Sequence, residues 1–171
     1  MNYSNEDVCQ YKVDLPYPPV KVIGPNSVYA CEMLSNMSEV VSEMSDVTRY
    51  FYISVVTKAQ YGWISTCFHH ISIVEMHHLN IFAELASLLG ADPRLWNCHK
   101  HEKWWSPSFI DYPCELCALI MESIKAEEAA IRKYSRQAST ICDKNIVAVL
   151  RRIICDEERH LQIFRKMCQQ L

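Results

Sequence analysis

IVEMHHLNIFAELASLLG, residues 73–90, places apolar side chains at the spacing of one helical face and interrupts them with a Glu and a His. With the residues before it, the stripe runs Ile64, Cys67, Phe68, Ile71, Val74, Ile81, Phe82, Leu85 and Leu88, and Glu75 and His78 fill the gap at core-facing positions. A Glu and a His three residues apart share one side of a helix, so the pair can present two ligand atoms to one metal ion. Gly90, in the C-cap role ahead of Asp92-Pro93, closes the helix.

The arrangement recurs once. Of the 13 glutamates, only Glu75 and Glu157 precede a His by three, the second pair being Glu157 and His160 in IICDEERHLQIF, residues 153–164. There Ile146, Leu150 and Ile153 lead in steps of three and four to Glu157, His160, Phe164 and Met167, so this pair also points inward.

Glycine and proline divide the rest. Gly24, Pro25, Gly62, Gly90, Pro93, Pro107 and Pro113 leave the stretches 26–61, 63–89 and 114–171. As one helix the last would exceed about 80 Å, too long for a compact domain, and Asp143 is a suitable N-cap for a new helix at Lys144. Four helices are predicted, at about 27–58, 62–89, 114–140 and 144–170, preceded by an extended arm over 1–25 that contains Pro16, Pro18 and Pro19. Residues 91–113, rich in Trp and His, form a connection longer than the usual helix link, with Trp96, Trp104 and Trp105 available to seal it onto the bundle or a partner.

The remaining two helices each offer one bare glutamate. In the third, Leu116, Ile120, Ile124, Glu127, Ile131, Tyr134, Ala138 and Ile141 make an inward stripe, while Glu128 sits between Lys125 and Arg132 as a surface residue would. In the first, Val40, Glu43, Val47 and Tyr50 are in step, with Glu39 a competitor one turn away. Antiparallel helices joined by a short turn bring residues equidistant from that turn to one height. The midpoint of 43 and 75 is 59 and that of 127 and 157 is 142, both at breaks placed from punctuation alone; Glu39 would put the first at 57. Glu43 precedes Tyr50 by seven and Glu127 precedes Tyr134 by seven, so the two halves repeat one pattern.

Charge then requires a cation. Four carboxylates in an apolar interior each cost several kcal/mol or take up protons, whereas two divalent metals neutralise Glu43, Glu75, Glu127 and Glu157, with neutral His78 and His160 completing the set. Oxygen and nitrogen ligands without thiolate suit iron or manganese better than structural zinc. Tyr50 and Tyr134 can orient the carboxylates through hydrogen bonds.

Composition bounds the alternatives. The chain has 171 residues, 19.9 kDa, 50% hydrophobic and 22% charged, with three glycines, which favours one all-α domain over 26–171. The longest apolar run, Leu116 to Met121, is far below the roughly 18 residues of a membrane span. A net charge of −3 argues against nucleic acid as a partner. Nine irregularly spaced cysteines suggest no disulfide framework, and with an N-terminus unlike a secretory signal they point to a reducing cytoplasm. Cys98, His99, His101, Cys114 and Cys117 could form a second, zinc-type site, although a lone Cys-x-x-Cys is weak. His69, His70 and His77 read as rim residues.

With SEMSDVTRYFY around Glu43 and AEEAAIRKY around Glu127 added to the two motifs above, residues 26–170 resemble a ferritin-like dinuclear carboxylate protein of the rubrerythrin and manganese-catalase neighbourhood. The resemblance implies an antiparallel four-helix bundle with a long crossover between helices 2 and 3. It also implies an oxidoreductase using two iron ions, or alternatively manganese, on hydrogen peroxide or oxygen. Without a rubredoxin-type domain, rubrerythrin-like peroxide reduction would draw electrons from a separate donor protein; manganese-catalase-like disproportionation and ferroxidase iron handling are the alternatives, and a metal-free helical interaction protein is the remaining one. Ala130 stands where rubrerythrins tend to carry an extra Glu. A homodimer is expected from the aromatic content.

Overall fold

A computed structural model describes residues 11–98 and 103–171. The helices are α1 (Ser27–Ser38), α2 (Glu43–Thr57), α3 (Gly62–Leu88), α4 (Leu116–Thr140) and α5 (Lys144–Gln169). α1 and α2 together form the first member of an antiparallel four-helix bundle, and α3, α4 and α5 are the others. The connection from α3 to α4 runs from one end of the bundle to the other. It carries a short antiparallel hairpin, β1 (Trp96–Asn97) with β2 (Lys103–Trp104), and a 3-10 turn at Pro107–Phe109. No helix among the described residues is long and apolar enough to cross a membrane.

The first predicted helix is two helices. Ser42 and Ser45 hydroxyls both donate to the Glu39 carbonyl, at 2.6 and 3.0 Å, and occupy the acceptor that would continue α1. Glu39 is extended, and Ser42 then accepts from the Ser45 amide as N-cap of α2. This sets Glu43 and Asp46 in the first turn of α2, where the helix dipole favours negative charge. The later elements start on ordinary signals: Asp143 caps α5 by accepting from the Asn145 amide, and Gly90, with φ of 96°, follows α3 in the left-handed conformation.

The apolar core is divided. One cluster joins Met33, Leu34, Phe82, Leu85, Ile146 and Leu150 at the end where α1 and α5 begin. The other joins Ile53, Ile64, Phe68, Ile120, Phe164 and Met167 at the opposite end. Between them lies a fully buried layer of polar side chains, Glu43, Glu75, His78, Glu127, Glu157 and His160.

The expectation that the cysteines are unpaired is corrected at one pair. Cys31 of α1 and Cys98, at the end of β1, form a disulfide across 67 residues, a separation at which spacing gives no hint of pairing. Cys98 is thereby removed from any zinc site; Cys114 and Cys117 are exposed free thiols, and His99 and His101 lie outside the described residues.

Candidate metal centre

The six side chains picked out at ligand spacing converge at mid-bundle. They form two groups whose donor atoms lie within 4.8 Å of one another: Glu43, Glu75, His78 and Glu157, and Glu75, Glu127, Glu157 and His160. Glu75 and Glu157 belong to both groups. His78 Nδ1 faces Glu75 at 3.0 Å, Glu157 at 3.2 Å and Glu43 at 3.7 Å. His160 Nδ1 faces Glu75 at 2.8 Å, Glu157 at 3.1 Å and Glu127 at 3.5 Å. Each imidazole thus looks onto one unshared and two shared carboxylates. Glu39 lies outside both groups, accepting from the Ser35 hydroxyl at 2.7 Å and standing 3.5 Å from Lys133 Nζ.

The tyrosines cross between halves. Tyr50 of α2 donates to Glu127 of α4 at 2.7 Å, and Tyr134 of α4 donates to Glu43 of α2 at 2.5 Å. Burial, reinforced by the carboxylate each one faces, pushes both phenols well above their ordinary value, so they remain donors.

The metal-free cluster holds protons. Burial, then the charges of Glu157 and Glu75, push Glu43 well above the carboxylate range, and burial with the same two neighbours does so for Glu127. Burial also works against a charged imidazole, but the surrounding carboxylates overcome it and push His78 and His160 well above 6.5. At Glu75 burial is likewise overridden, by His160 and His78, and its value falls to about 2. Cations entering such a site displace these protons.

The residues present fit a dinuclear cofactor. Glu75 Oε1 and Glu157 Oε1, one on each shared carboxylate, are buried and make no well-directed hydrogen bond; each is only approached by an imidazole Nδ1, of His160 at 2.8 Å and of His78 at 3.2 Å. Buried carboxylate oxygens without a directed donor are costly in a protein interior, and coordination would satisfy both.

Sequence reasoning missed the surroundings of the histidines. Asp156 is fully buried, accepts from the Val13 amide at 2.8 Å and the Tyr17 hydroxyl at 2.5 Å, and forms an ion pair with Arg152 Nη1 at 2.7 Å, with His78 Nε2 at 3.2 Å. Although burial opposes it, these partners hold its carboxyl below the usual range. The i,i+4 spacing of Arg152 and Asp156 beside Glu157 was a visible signal. The contacts to Tyr11 and Tyr17, from 139 to 149 residues away, had none.

The sequence pattern of rubrerythrin matches residues 37–168. The chain belongs to the rubrerythrin family. Membership implies a dinuclear iron or manganese centre, and the two side-chain groups at mid-bundle have the composition for one. The fold of this rubrerythrin-family chain is similar to the crystal structure of KatB, a manganese catalase from Anabaena PCC7120. The TM-score is 0.82 at 18% identity, over 92% of this chain and 78% of that one. A structure of wild-type KatB from Anabaena gives the same values. No curated protein matches in sequence.

Proposed function

We propose that the chain is a dimetal oxidoreductase that reduces hydrogen peroxide with electrons from a separate donor protein. The observation that carries this reading is the sharing of Glu75 and Glu157 between two otherwise separate ligand groups, which would set two cations side by side with peroxide able to reach both. Glu43 and His78 would hold one ion, Glu127 and His160 the other, and Glu75 and Glu157 both. When bound, the divalent metals supply Lewis acidity and the two electrons needed to convert peroxide and two protons into two waters.

The chain's own residues prepare that site. Tyr50 and Tyr134 fix the unshared carboxylates through one oxygen and leave the other for an ion. The apolar clusters on either side, with Phe68, Phe82 and Phe164 among their fully buried members, exclude bulk water. The similarity to a manganese catalase and the apolar Ala130 three residues after Glu127 favour a second reading, disproportionation of peroxide without a donor.

Metal analysis of chelator-free protein, followed by peroxide consumption with and without reductant, tests both. Consumption that depends on the reductant is expected. Donor-free consumption with one oxygen released per two peroxides would establish the second reading, and protein that takes up neither iron nor manganese would remove the enzyme reading.

A further inference from the structure

If His78 and His160 bind metal through Nδ1, as the proposed function has it, their Nε2 atoms face away from the four ligand glutamates. Both meet one short stretch of chain outside the helices. His160 Nε2 is 2.8 Å from the Tyr11 main-chain oxygen; a carbonyl only accepts, so Nε2 keeps its proton and Nδ1 is the nitrogen whose lone pair a metal would take. His78 Nε2 is 3.2 Å from Tyr17 Oη and 3.2 Å from Asp156 Oδ2. Because the Tyr17 hydroxyl gives its own proton to Asp156, its oxygen is available to accept from His78.

The stretch is tied down at every turn. Arg152 donates from Nε to the Leu15 carbonyl at 2.9 Å and from Nη2 to the Val13 carbonyl at 3.0 Å, and its guanidinium lies 4.2 Å from the centre of the Tyr17 ring. The Val13 amide bonds to Asp156. Two histidines outside both ligand groups seat the aromatic rings: His70 stacks on Tyr11 at 4.9 Å, and His77 meets Tyr17 in a T-shaped contact at 4.6 Å.

We propose that Tyr11–Tyr17 is a strap belonging to the metal centre. Its Tyr11 carbonyl and Tyr17 hydroxyl fix both imidazoles in the orientation and tautomer that bind metal through Nδ1. Both metal positions therefore depend on one piece of chain that supplies no ligand of its own, and Tyr11 and Tyr17 are positioning residues. Outer partners of ligating histidines are generally worth about 10- to 100-fold in metal affinity. By reciprocity, metal binding must hold the strap down by the same factor.

The test is a Mn2+ titration of the full chain as wild type, Tyr17→Phe and Arg152→Gln, with amide hydrogen exchange over residues 11–17. Tyr17→Phe is expected to weaken one of two bound Mn2+ ions about tenfold and to leave the other unchanged, a selectivity that a general loss of stability would not produce. Arg152→Gln, which releases the Val13 and Leu15 carbonyls, should weaken both ions. Mn2+ should slow exchange at 11–17 in the wild type. Unchanged affinities in both variants, together with exchange indifferent to Mn2+, would overturn the strap while leaving the ligand assignment standing. A wild-type chain that binds no Mn2+ or Fe2+ would instead overturn the proposed function, and the strap with it.

Discussion

The α1–α3 half of the bundle and the α4–α5 half bring the same four groups to the centre, a bare Glu, an inward Tyr and a Glu-x-x-His, yet surround them differently. His78 in the first half is held at Nε2 by side chains, Asp156 and Tyr17, while His160 in the second is held by the main-chain carbonyl of Tyr11. Three residues after Glu43 stands Asp46, buried beside Arg49, where burial raises its carboxyl to about 7 against the pull of that guanidinium. Three residues after Glu127 stands the apolar Ala130. The first half is also interrupted between α1 and α2 and stapled by Cys31–Cys98. Repetition fixes which atoms meet, and the surroundings make the two proposed ion positions inequivalent.

The largest effect separates shared from unshared ligands. Glu75→Gln or Glu157→Gln should empty both positions and lower peroxide turnover by at least about a thousandfold, whereas Glu43→Gln or Glu127→Gln should leave one ion bound. Metal counting per chain beside kinetics checks this.

Metal removal comes next. At ion concentrations about a thousand times Kd, binding contributes about 4 kcal/mol, or about 10 °C of melting temperature for a chain of this size. The gain should grow with pH. Glu43, Glu127, His78 and His160 are all raised in the metal-free fold, so the protons they hold stabilise that fold at low pH, and this contribution is lost as pH rises through the raised values. Glu75 has the opposite sign, but its contribution is lost only as pH falls below its ordinary 4.5. Melting with and without chelator at about pH 6 and about pH 8 should therefore show the larger difference at the higher pH.

The staple should be worth about 4 kcal/mol, the loop-closure value for 67 residues. Cys98→Ser should melt lower than the parent, and dithiothreitol should erase the difference. The smallest effect tests the crossing. Tyr50→Phe, although on α2, should weaken the ion of Glu127 and His160 about tenfold, and Tyr134→Phe the ion of Glu43 and His78. Weakening within the same half would break the crossed arrangement.

What the sequence disclosed follows the range of the forces involved. The starts and ends of α3, α4 and α5 rest on Gly62, Gly90, Pro113 and Asp143, signals that act within a turn, and they lie within two residues of expectation. The meeting of Glu43, Glu75, Glu127 and Glu157 was legible because antiparallel helices convert distance along the chain into height. The break at 39–42 contains neither glycine nor proline; it depends on serine hydroxyls that take the Glu39 carbonyl, although Ser42 ahead of Glu43 and Asp46 is an N-terminal signature in retrospect. Tyr11, Tyr17 and Cys31 reach partners that no periodicity connects to them.

The divided core has a consequence for cooperativity. Most small domains unfold as a unit because one continuous apolar interior links every element. Here two apolar reservoirs are separated by a polar waist of buried carboxyls and imidazoles, whose pairing depends on the protons they hold, a seam along which the ends could come apart. A pair of cations seated in that waist would join the reservoirs, so the loaded protein should lose its structure in one calorimetric transition, and the stripped protein in a broader or divided one.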